Sequence, residues 1–238
     1  HGKLGMPTSC FAFDISLGCS GYVSALATVS GHLMATGGKR ALLFTADPYS
    51  KSICEDDKNT SMIFGDAATV TFIEPGKSWR IGKFDSGTDG RKSKSLERDA
   101  NGTLRMNGRS VFNFCAINVP ASIKNTLVRN GAEKADVDFY AFHPGSKYIV
   151  DTVSTRLGLP IQEKLLCEDY GNTVSSSIPL LLAGLDRLQN KTVIVSGFGV
   201  GLGWTSCLLY SAAFMSIEKS IRTIISNAVV GIDSNKLT

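Results

Sequence analysis

The chain has 238 residues, which is enough for one large domain or for two smaller halves. Hydrophobic residues make up 43% of it and charged residues 19%, which excludes extensive disorder. The formal net charge of +4 is too small to indicate a nucleic-acid-binding protein. No apolar run approaches the roughly 18 residues that a membrane-spanning helix needs, and the first residues carry no signal-peptide pattern. We therefore expect a soluble protein that is not exported.

The six cysteines of the chain show no short regular spacing and no C-x-x-C pair. Neither a zinc site nor a disulfide framework is indicated. Most of the cysteines lie in apolar runs, where a thiol behaves as a small buried hydrophobic group. This usage favours a reducing compartment, and the predicted location is the cytoplasm.

The first part of the chain alternates strand and helix patterns. The predicted elements are a strand over 11–15, a helix over 20–36, a strand over 41–46, a polar loop over 47–59 and a strand over 67–73. From 74 to 108 the content of Gly, Ser, Asp and Lys rises, which predicts a long connection or a small excursion.

The second part of the chain continues the alternation. The predicted elements are a helix over 109–129, a strand over 137–142, a helix over 147–157, a strand over 164–167, a helix over 175–188 and a strand over 192–196. Strands that alternate with helices in this way predict an α/β fold whose sheets are covered by helices.

Cys19 differs from the other cysteines because it lies between a predicted strand and the start of a predicted helix. Unpaired N–H groups and the positive end of the helix dipole favour a thiolate at such a position. A reactive nucleophile is one interpretation, and it predicts that Cys19 is the only cysteine rapidly alkylated by iodoacetamide at neutral pH. A buried structural cysteine is the other, and the local pattern leaves both open.

Two further polar residues follow predicted strands. His143 ends the strand over 137–142, at the carboxyl edge where α/β sheets usually bind ligands. Asn172 lies in a turn between a predicted strand and a predicted helix. Each has a structural alternative: His143 as a hydrogen-bonding core residue, and Asn172 as a turn or N-cap residue.

A glycine-rich segment covers 197–203 and lies between apolar runs. It is not a phosphate-binding loop, because no Lys-Ser or Lys-Thr pair and no helix follow it. Two interpretations remain: a turn whose backbone N–H groups approach an oxyanion, or a tight hairpin.

Six segments occur in the order that is typical of the β-ketoacyl-acyl-carrier-protein synthase III family of the thiolase superfamily, and the chain resembles that family from residue 1 to about 210. The segments are 13–22, 64–68, 106–112, 142–146, 170–173 and 197–201. The resemblance implies a thiolase-like layered αβαβα fold that lacks the first strands and helices of the N-terminal half. It divides the chain into the rest of that half over 1–105, a C-terminal half over 106–210 and a tail over 211–238.

The resemblance also implies roles for the residues singled out above. Cys19 corresponds to the acyl-accepting nucleophile, and His143 and Asn172 correspond to the pair that supports decarboxylation. Backbone N–H groups of Cys19 and Val200 correspond to the oxyanion hole. The implied activity is that of a β-ketoacyl thioester synthase, which condenses an acyl group with a malonyl thioester. An acyltransferase for a hydroxyl or amine acceptor, and a non-catalytic fragment or partner subunit, stay as alternatives.

The expected partners follow from the same resemblance: an acyl-CoA or other acyl thioester, an acyl carrier protein and a second copy in a homodimer. No metal, nucleic acid or membrane is expected, and no cofactor beyond the coenzyme A or phosphopantetheine that carries the substrates. Two positions depart from the bacterial pattern. The segment 143–146 reads His-Pro-Gly-Ser, which is similar to plant-type polyketide synthases of the superfamily, and Val200 replaces a glycine.

The tail over 211–238 lies outside the resemblance. Its apolar residues at 217, 221, 224, 225 and 228 follow the helical period, which predicts an amphipathic helix. This helix is interpreted either as an ordinary C-terminal helix or as the start of an acyl carrier protein.

Overall fold

The structure is a computed structural model, and it describes residues 1–75, 79–160, 169–183, 191–211 and 221–225. Five helices and nine strands are formed in these ranges, which confirms the predicted α/β class. The helices are α1 Gly21–Thr36, α2 Lys58–Ser61, α3 Gly108–Asn130, α4 Lys147–Leu157 and α5 Ser177–Ala183. The strands are β1 Ala41–Ala46, β2 Ala68–Pro75, β3 Trp79–Thr88, β4 Leu96–Arg98, β5 Leu104–Met106, β6 Phe139–Phe142, β7 Thr192–Gly199, β8 Gly203–Ser211 and β9 Ile221–Ile225.

The strands form three sheets, in the orders β3-β8-β7-β6, β1-β2-β9 and β4-β5. Only β6 and β7 pair in parallel among these strands, with Phe142 opposite Ser196. The carboxyl ends of β6 and β7 therefore lie at the same edge of the four-stranded sheet. The residues that follow them, His143 and the end of the β7–β8 hairpin, are brought together there.

The four-stranded sheet is covered on both faces, and β7 shows how. Val193 and Val195 belong to a core cluster with α1 and α5, whereas Ile194 and Phe198 belong to a second cluster with α3 and α4. Side chains alternate between the faces of a strand, so one strand contributes to two layers of core. Burial on both faces also explains why β7 reads as a nearly continuous apolar run.

Local signals fix the helix ends, which agree with the predicted ends to within a residue for α1, α3 and α4. The side chain of Asn107 accepts a hydrogen bond from the backbone N–H of Ser110 at the start of α3 (3.0 Å), and Ser146 accepts one from Ile149 at the start of α4 (3.3 Å). A glycine in the left-handed conformation follows each of the three helices. These glycines are Gly37, Gly131 and Gly158.

The strand predicted over 11–15 is not formed. Phe11 and Phe13 are 65% and 46% exposed and contact each other and His32 instead of a core. A strand needs a neighbour for its backbone hydrogen bonds, and no strand in the described residues pairs with this segment. Its apolar composition was therefore not sufficient to make it a strand.

The long connection predicted over 74–108 is wrong, because the segment contains β3, β4 and β5. Glycine in β3 was taken as a turn signal, but it permits close packing. A Cβ on Gly82 would lie 2.9 Å from the carbonyl oxygen of Leu208, and a Cβ on Gly87 would overlap the ring of Trp204. Through its pairing with β8, β3 belongs to the four-stranded sheet. The boundary between 105 and 106 stays a prediction.

The helix predicted in the tail is contradicted at Ile221–Ile225, which form β9 and pair antiparallel with β2. Four of these five residues are Ile or Thr, whose branched Cβ atoms favour a strand over a helix. The other residues of the tail from 212 lie outside the described ranges. So do the strand predicted over 164–167 and the end of the helix predicted over 175–188.

No helix in the described part of the chain combines the length and the apolar character needed to cross a membrane. The same residues contain no cluster of three or more His, Cys, Asp or Glu side chains with the arrangement of a metal site.

Candidate active site

Cys19, His143 and Asn172 line one cavity of about 180 Å³. The loop before α1 supplies the cysteine, the end of β6 supplies the histidine, and the loop before α5 supplies the asparagine. Most other lining residues are apolar, and among the described residues the wall of the cavity carries no Lys, Arg, Asp or Glu. The structure thus brings together the three side chains that the sequence singled out.

Cys19 lies against the end of β7, and glycines make that approach possible. A Cβ on Gly199 would lie 2.7 Å from the Cβ of Cys19 and 3.2 Å from its Sγ, and a Cβ on Gly197 would lie 2.9 Å from its carbonyl oxygen. The segment forms the β7–β8 hairpin, with Gly199 opposite Gly203. The hairpin interpretation of the glycine-rich segment is therefore confirmed.

The thiol of Cys19 is not the low-pKa group that its position before α1 predicted. The side chain is 5% exposed, and its burial raises the pKa to about 12. The negative charge of Asp47 raises it further, while hydrogen bonds from Asn172 and from the backbone of Cys19 lower it. Desolvation outweighs the helix N-terminus, so the resting thiol is protonated at neutral pH. Of the described cysteines, Cys10 and Cys54 are more exposed and are now the ones expected to be alkylated first.

His143 is 2% exposed and is held by its backbone, whose N–H donates to the carbonyl of Ser196 (2.8 Å). Its ring meets the ring of Phe198 edge to face at 5.7 Å. Neither ring nitrogen has a hydrogen-bond partner among the described residues. Burial lowers the pKa to about 3, so the imidazole is neutral and keeps one N–H to donate. A buried donor without a protein partner that lines a cavity can donate to a group bound there.

Asn172 is fixed by both its backbone and its side chain. Its N–H donates to Ile63 (2.7 Å), its carbonyl accepts from Gly65 (3.1 Å), and its Oδ1 accepts from the N–H of Val174 (2.9 Å). The Nδ2 amide is therefore left to the cavity, where its hydrogen-bonding capacity lowers the pKa of the Cys19 thiol.

The donors of His143 and Asn172 converge on one place. The position that a Cβ on Gly145 would occupy is 3.3 Å from Nε2 of His143 and 3.9 Å from Nδ2 of Asn172. Two uncharged groups with N–H donors thus lie close to one point, in a cavity whose described walls carry no charge, and such an arrangement is suited to a developing oxyanion.

Val200 follows Gly199 in the hairpin turn, and its side chain lies 3.0 Å from the Cβ position of Gly18. Its φ is not positive, because Val174 is the one described residue other than glycine with a positive φ. A valine is therefore accommodated in this turn without the left-handed conformation that it resists. The role of its N–H in an oxyanion hole stays a prediction.

Two features of the site were missed in the sequence. Asp47 follows β1, and its carboxylate accepts hydrogen bonds from the N–H of Ser175 (3.1 Å) and from the hydroxyl of the same residue. The sequence feature that could have indicated Asp47 is its position directly after a predicted strand.

The second missed feature is the face of α3 that lines the cavity. Its residues are spaced three and four apart, which is a helical period within the predicted helix. These residues are Gly108, Val111, Phe112 and Cys115.

We expect Asp47→Asn to raise the alkylation rate of Cys19. Removing the negative charge lowers the pKa of the thiol and raises the thiolate fraction, while the amide oxygen still accepts from Ser175. The measurement is the rate of iodoacetamide labelling of Cys19 from pH 7 to pH 10, followed by peptide mass spectrometry. Asp66→Asn is the matched control, because Asp66 accepts from Ser50 and does not contribute to the pKa shift of Cys19. Equal rates in the two variants would contradict the role of the Asp47 charge.

Family models of 3-oxoacyl-[acyl-carrier-protein] synthase III match the chain at 13–90 and, for the C-terminal part, at 127–211. The β-ketoacyl-[acyl-carrier-protein] synthase III of Lactococcus lactis subsp. lactis is 32% identical over 222 residues, which are 84% of this chain and 68% of that protein. A crystal structure of a 3-oxoacyl-(acyl-carrier-protein) synthase III has a TM-score of 0.80 at 32% identity, covering 88% of this chain and 71% of its own. The Pseudomonas aeruginosa enzyme has a TM-score of 0.79 at 28% identity, covering 90% and 71%.

The layered fold and the Cys-His-Asn cavity define a thiolase-like transferase of the acyl-transferring, condensing class. Within that class, the chain belongs to the 3-oxoacyl-[acyl-carrier-protein] synthase III family, also called β-ketoacyl-acyl-carrier-protein synthase III. The predicted family and the predicted thiolase-like fold are confirmed.

Proposed function

We propose that the chain is a β-ketoacyl thioester synthase. It transfers an acyl group from a thioester to Cys19 and condenses it with a malonyl thioester, with loss of carbon dioxide, in the synthesis of fatty acids or related acyl chains. The observation that carries this proposal is the buried, neutral His143 with no partner for either ring nitrogen, beside the amide of Asn172 and the thiol of Cys19. The names of the relatives support it.

In the first half-reaction, Sγ of Cys19 attacks the carbonyl carbon of the acyl thioester. Because the resting thiol is protonated, its proton leaves with the departing carrier thiol, and the charge of the protein is unchanged by the exchange. The tetrahedral oxyanion accepts hydrogen bonds from the backbone N–H groups of Cys19 and Val200. A fully buried nucleophile also protects the acyl-cysteine from water.

In the second half-reaction, the malonyl thioester loses carbon dioxide and becomes an enolate. Its oxygen accepts hydrogen bonds from the imidazole N–H of His143 and from Nδ2 of Asn172. The enolate carbon then attacks the carbonyl of acyl-Cys19, which forms the new carbon–carbon bond and releases the sulfur. One proton is taken up by that sulfur, and the protonated resting thiol is restored.

The substrate carriers and the location belong to the same proposal. A cavity wall without charged side chains suits a slim, uncharged arm such as the phosphopantetheine of coenzyme A or of an acyl carrier protein. The two half-reactions consist of acyl transfer, decarboxylation and proton transfer, so neither needs a metal or a redox cofactor. A cytoplasmic enzyme has access to both carriers.

The test is mass spectrometry after incubation with a panel of acyl thioesters. We expect a single acyl group on the peptide that contains Cys19. In a separate assay, Cys19→Gln should release carbon dioxide from malonyl thioester, because the enolate donors are intact. Acylation without carbon dioxide release would favour transfer to a hydroxyl or amine acceptor. Neither acylation nor carbon dioxide release would favour a non-catalytic partner subunit.

We also propose that the protein acts as a homodimer. The family resemblance supports this state, and so does β1, which lies at the edge of its sheet among the described strands and carries Phe44 at 53% exposure. Sedimentation equilibrium at micromolar concentration is expected to give twice the mass of the chain. A monomer mass over that range would contradict the proposal.

A further inference from the structure

Val174 has a backbone conformation that valine rarely adopts. Its φ is 55°, and no other residue except glycine has a positive φ in the part of the chain that the structure describes. A side chain branched at Cβ is strongly disfavoured in this left-handed region. The side chain is completely buried, so its surroundings hold the backbone in place. Such strain is concentrated at functional sites, where a particular geometry is required.

The backbone N–H of Val174 holds the side-chain amide of Asn172. The backbone of Asn172 is already held by hydrogen bonds to Ile63 and Gly65, so its side chain keeps only two rotatable bonds. The N–H of Val174 donates to Oδ1 of Asn172 at 2.9 Å and fixes both of them. Oδ1 is therefore turned away from the cavity and Nδ2 toward it. The left-handed φ of Val174 has a separate effect: it sets where the side chain of Val174 points relative to this hydrogen-bonded turn.

The side chain of Val174 also contacts the loop that carries the nucleophile. Its Cγ1 lies 3.4 Å from the Cβ position of Gly18, directly before Cys19, and it packs in one core cluster with Cys19 and Phe198. One residue thus connects the donor of Asn172 with the sulfur on which it acts.

We propose that Val174 is a positioning residue for the condensation step: its backbone N–H orients Nδ2 of Asn172, and its side chain, placed by the left-handed backbone, sets the spacing between that amide and Cys19. The inference rests on the proposed function, because condensation is the step in which Asn172 donates to the enolate. Formation of acyl-Cys19 depends instead on the thiol and on backbone N–H groups.

The experiment compares Val174→Ala and Val174→Thr with the matched control Val119→Ala. Val119 is equally buried in the same core cluster, on α3, and does not line the cavity. The readout is the single-turnover rate of condensation divided by that of Cys19 acylation. We expect Val174→Ala to lower this ratio on the order of tenfold, since small displacements of a catalytic donor are costly. Val174→Thr keeps the branched side-chain shape and should have nearly the ratio of the unsubstituted protein. Val119→Ala should lower the stability of the protein and leave the ratio unchanged.

A second readout does not depend on activity. The side-chain amide signal of Asn172 in a ¹⁵N NMR spectrum should shift in Val174→Ala and stay in place in Val119→Ala. An unchanged ratio with an unmoved amide signal would overturn the inference and leave Val174 as a packing residue. If Asn172→Ala itself leaves condensation intact, the proposed function fails instead, and the amide signal alone then decides whether Val174 directs Asn172.

Discussion

Asn172→Ala is expected to separate the two half-reactions. Acylation of Cys19 should stay within about tenfold of the unsubstituted protein, because it relies on the thiol and on backbone donors. Condensation should fall on the order of a hundredfold or more, the usual effect of losing one oxyanion donor. Single-turnover assays of acyl transfer and of carbon dioxide release measure the two effects separately. His143→Ala should behave in the same way.

The control for this experiment is Asn118→Ala. Asn118 lies on α3, its amide donates to the carbonyl of Phe114 (2.9 Å), and it does not line the cavity. Both half-reactions should keep their rates in this variant. Equal losses in the two half-reactions for Asn172→Ala would show that Asn172 is a structural turn residue, which was its alternative interpretation.

A second large effect is expected in the acid stability of the protein. Burial lowers the pKa of His143 to about 3 in the folded state, whereas an unfolded histidine titrates near its ordinary value of 6.5. Between these pH values the unfolded chain binds a proton at this residue and the folded chain does not. The contribution of His143 to the unfolding free energy is therefore fully present above pH 6.5 and is lost as the pH falls toward 3. From pH 7 to pH 4.5 the loss from this one residue is about 2.5 kcal/mol.

Urea unfolding at pH 7.0, 5.5 and 4.5 measures this loss, and His143→Gln isolates it. The variant has no titrating group at this position. Between pH 7 and pH 4.5 its unfolding free energy should therefore fall by about 2.5 kcal/mol less than that of the unsubstituted protein. His1 is exposed and His32 is half-buried, and both remain in both proteins, so they cancel in the comparison. Parallel pH profiles for the two proteins would show that the imidazole is accessible to protons in the folded state.

The elements that local sequence signals specify were predicted well. β1 and α4 have their predicted ends, because alternation, helical period, the Ser146 cap and the glycine after α4 are all local. β3 was missed because its glycines permit contact with β8, more than a hundred residues away in sequence. The segment 11–15 was taken as a strand because composition does not report whether a pairing neighbour is present.

The sequence indicated which side chains come together in the cavity, but not how burial shifts their pKa values. The order of segments placed Cys19, His143 and Asn172, and the fold brings all three to one cavity. The sign of the pKa shift at Cys19 was wrong, since a helix N-terminus is visible in sequence whereas desolvation by distant residues is not. Asp47 and the strained φ of Val174 were missed for the same reason.

The packing of β7 in two core clusters determines how the protein unfolds. Val195 and Ile194 are neighbours in sequence but belong to different cores, so neither layer loses its packing while β7 stays in place. The backbone amides of this strand are then expected to exchange with solvent deuterium only through global unfolding, and not through local opening. The same cooperative unit carries Gly199 against Cys19 and, through the parallel partner β6, the backbone of His143.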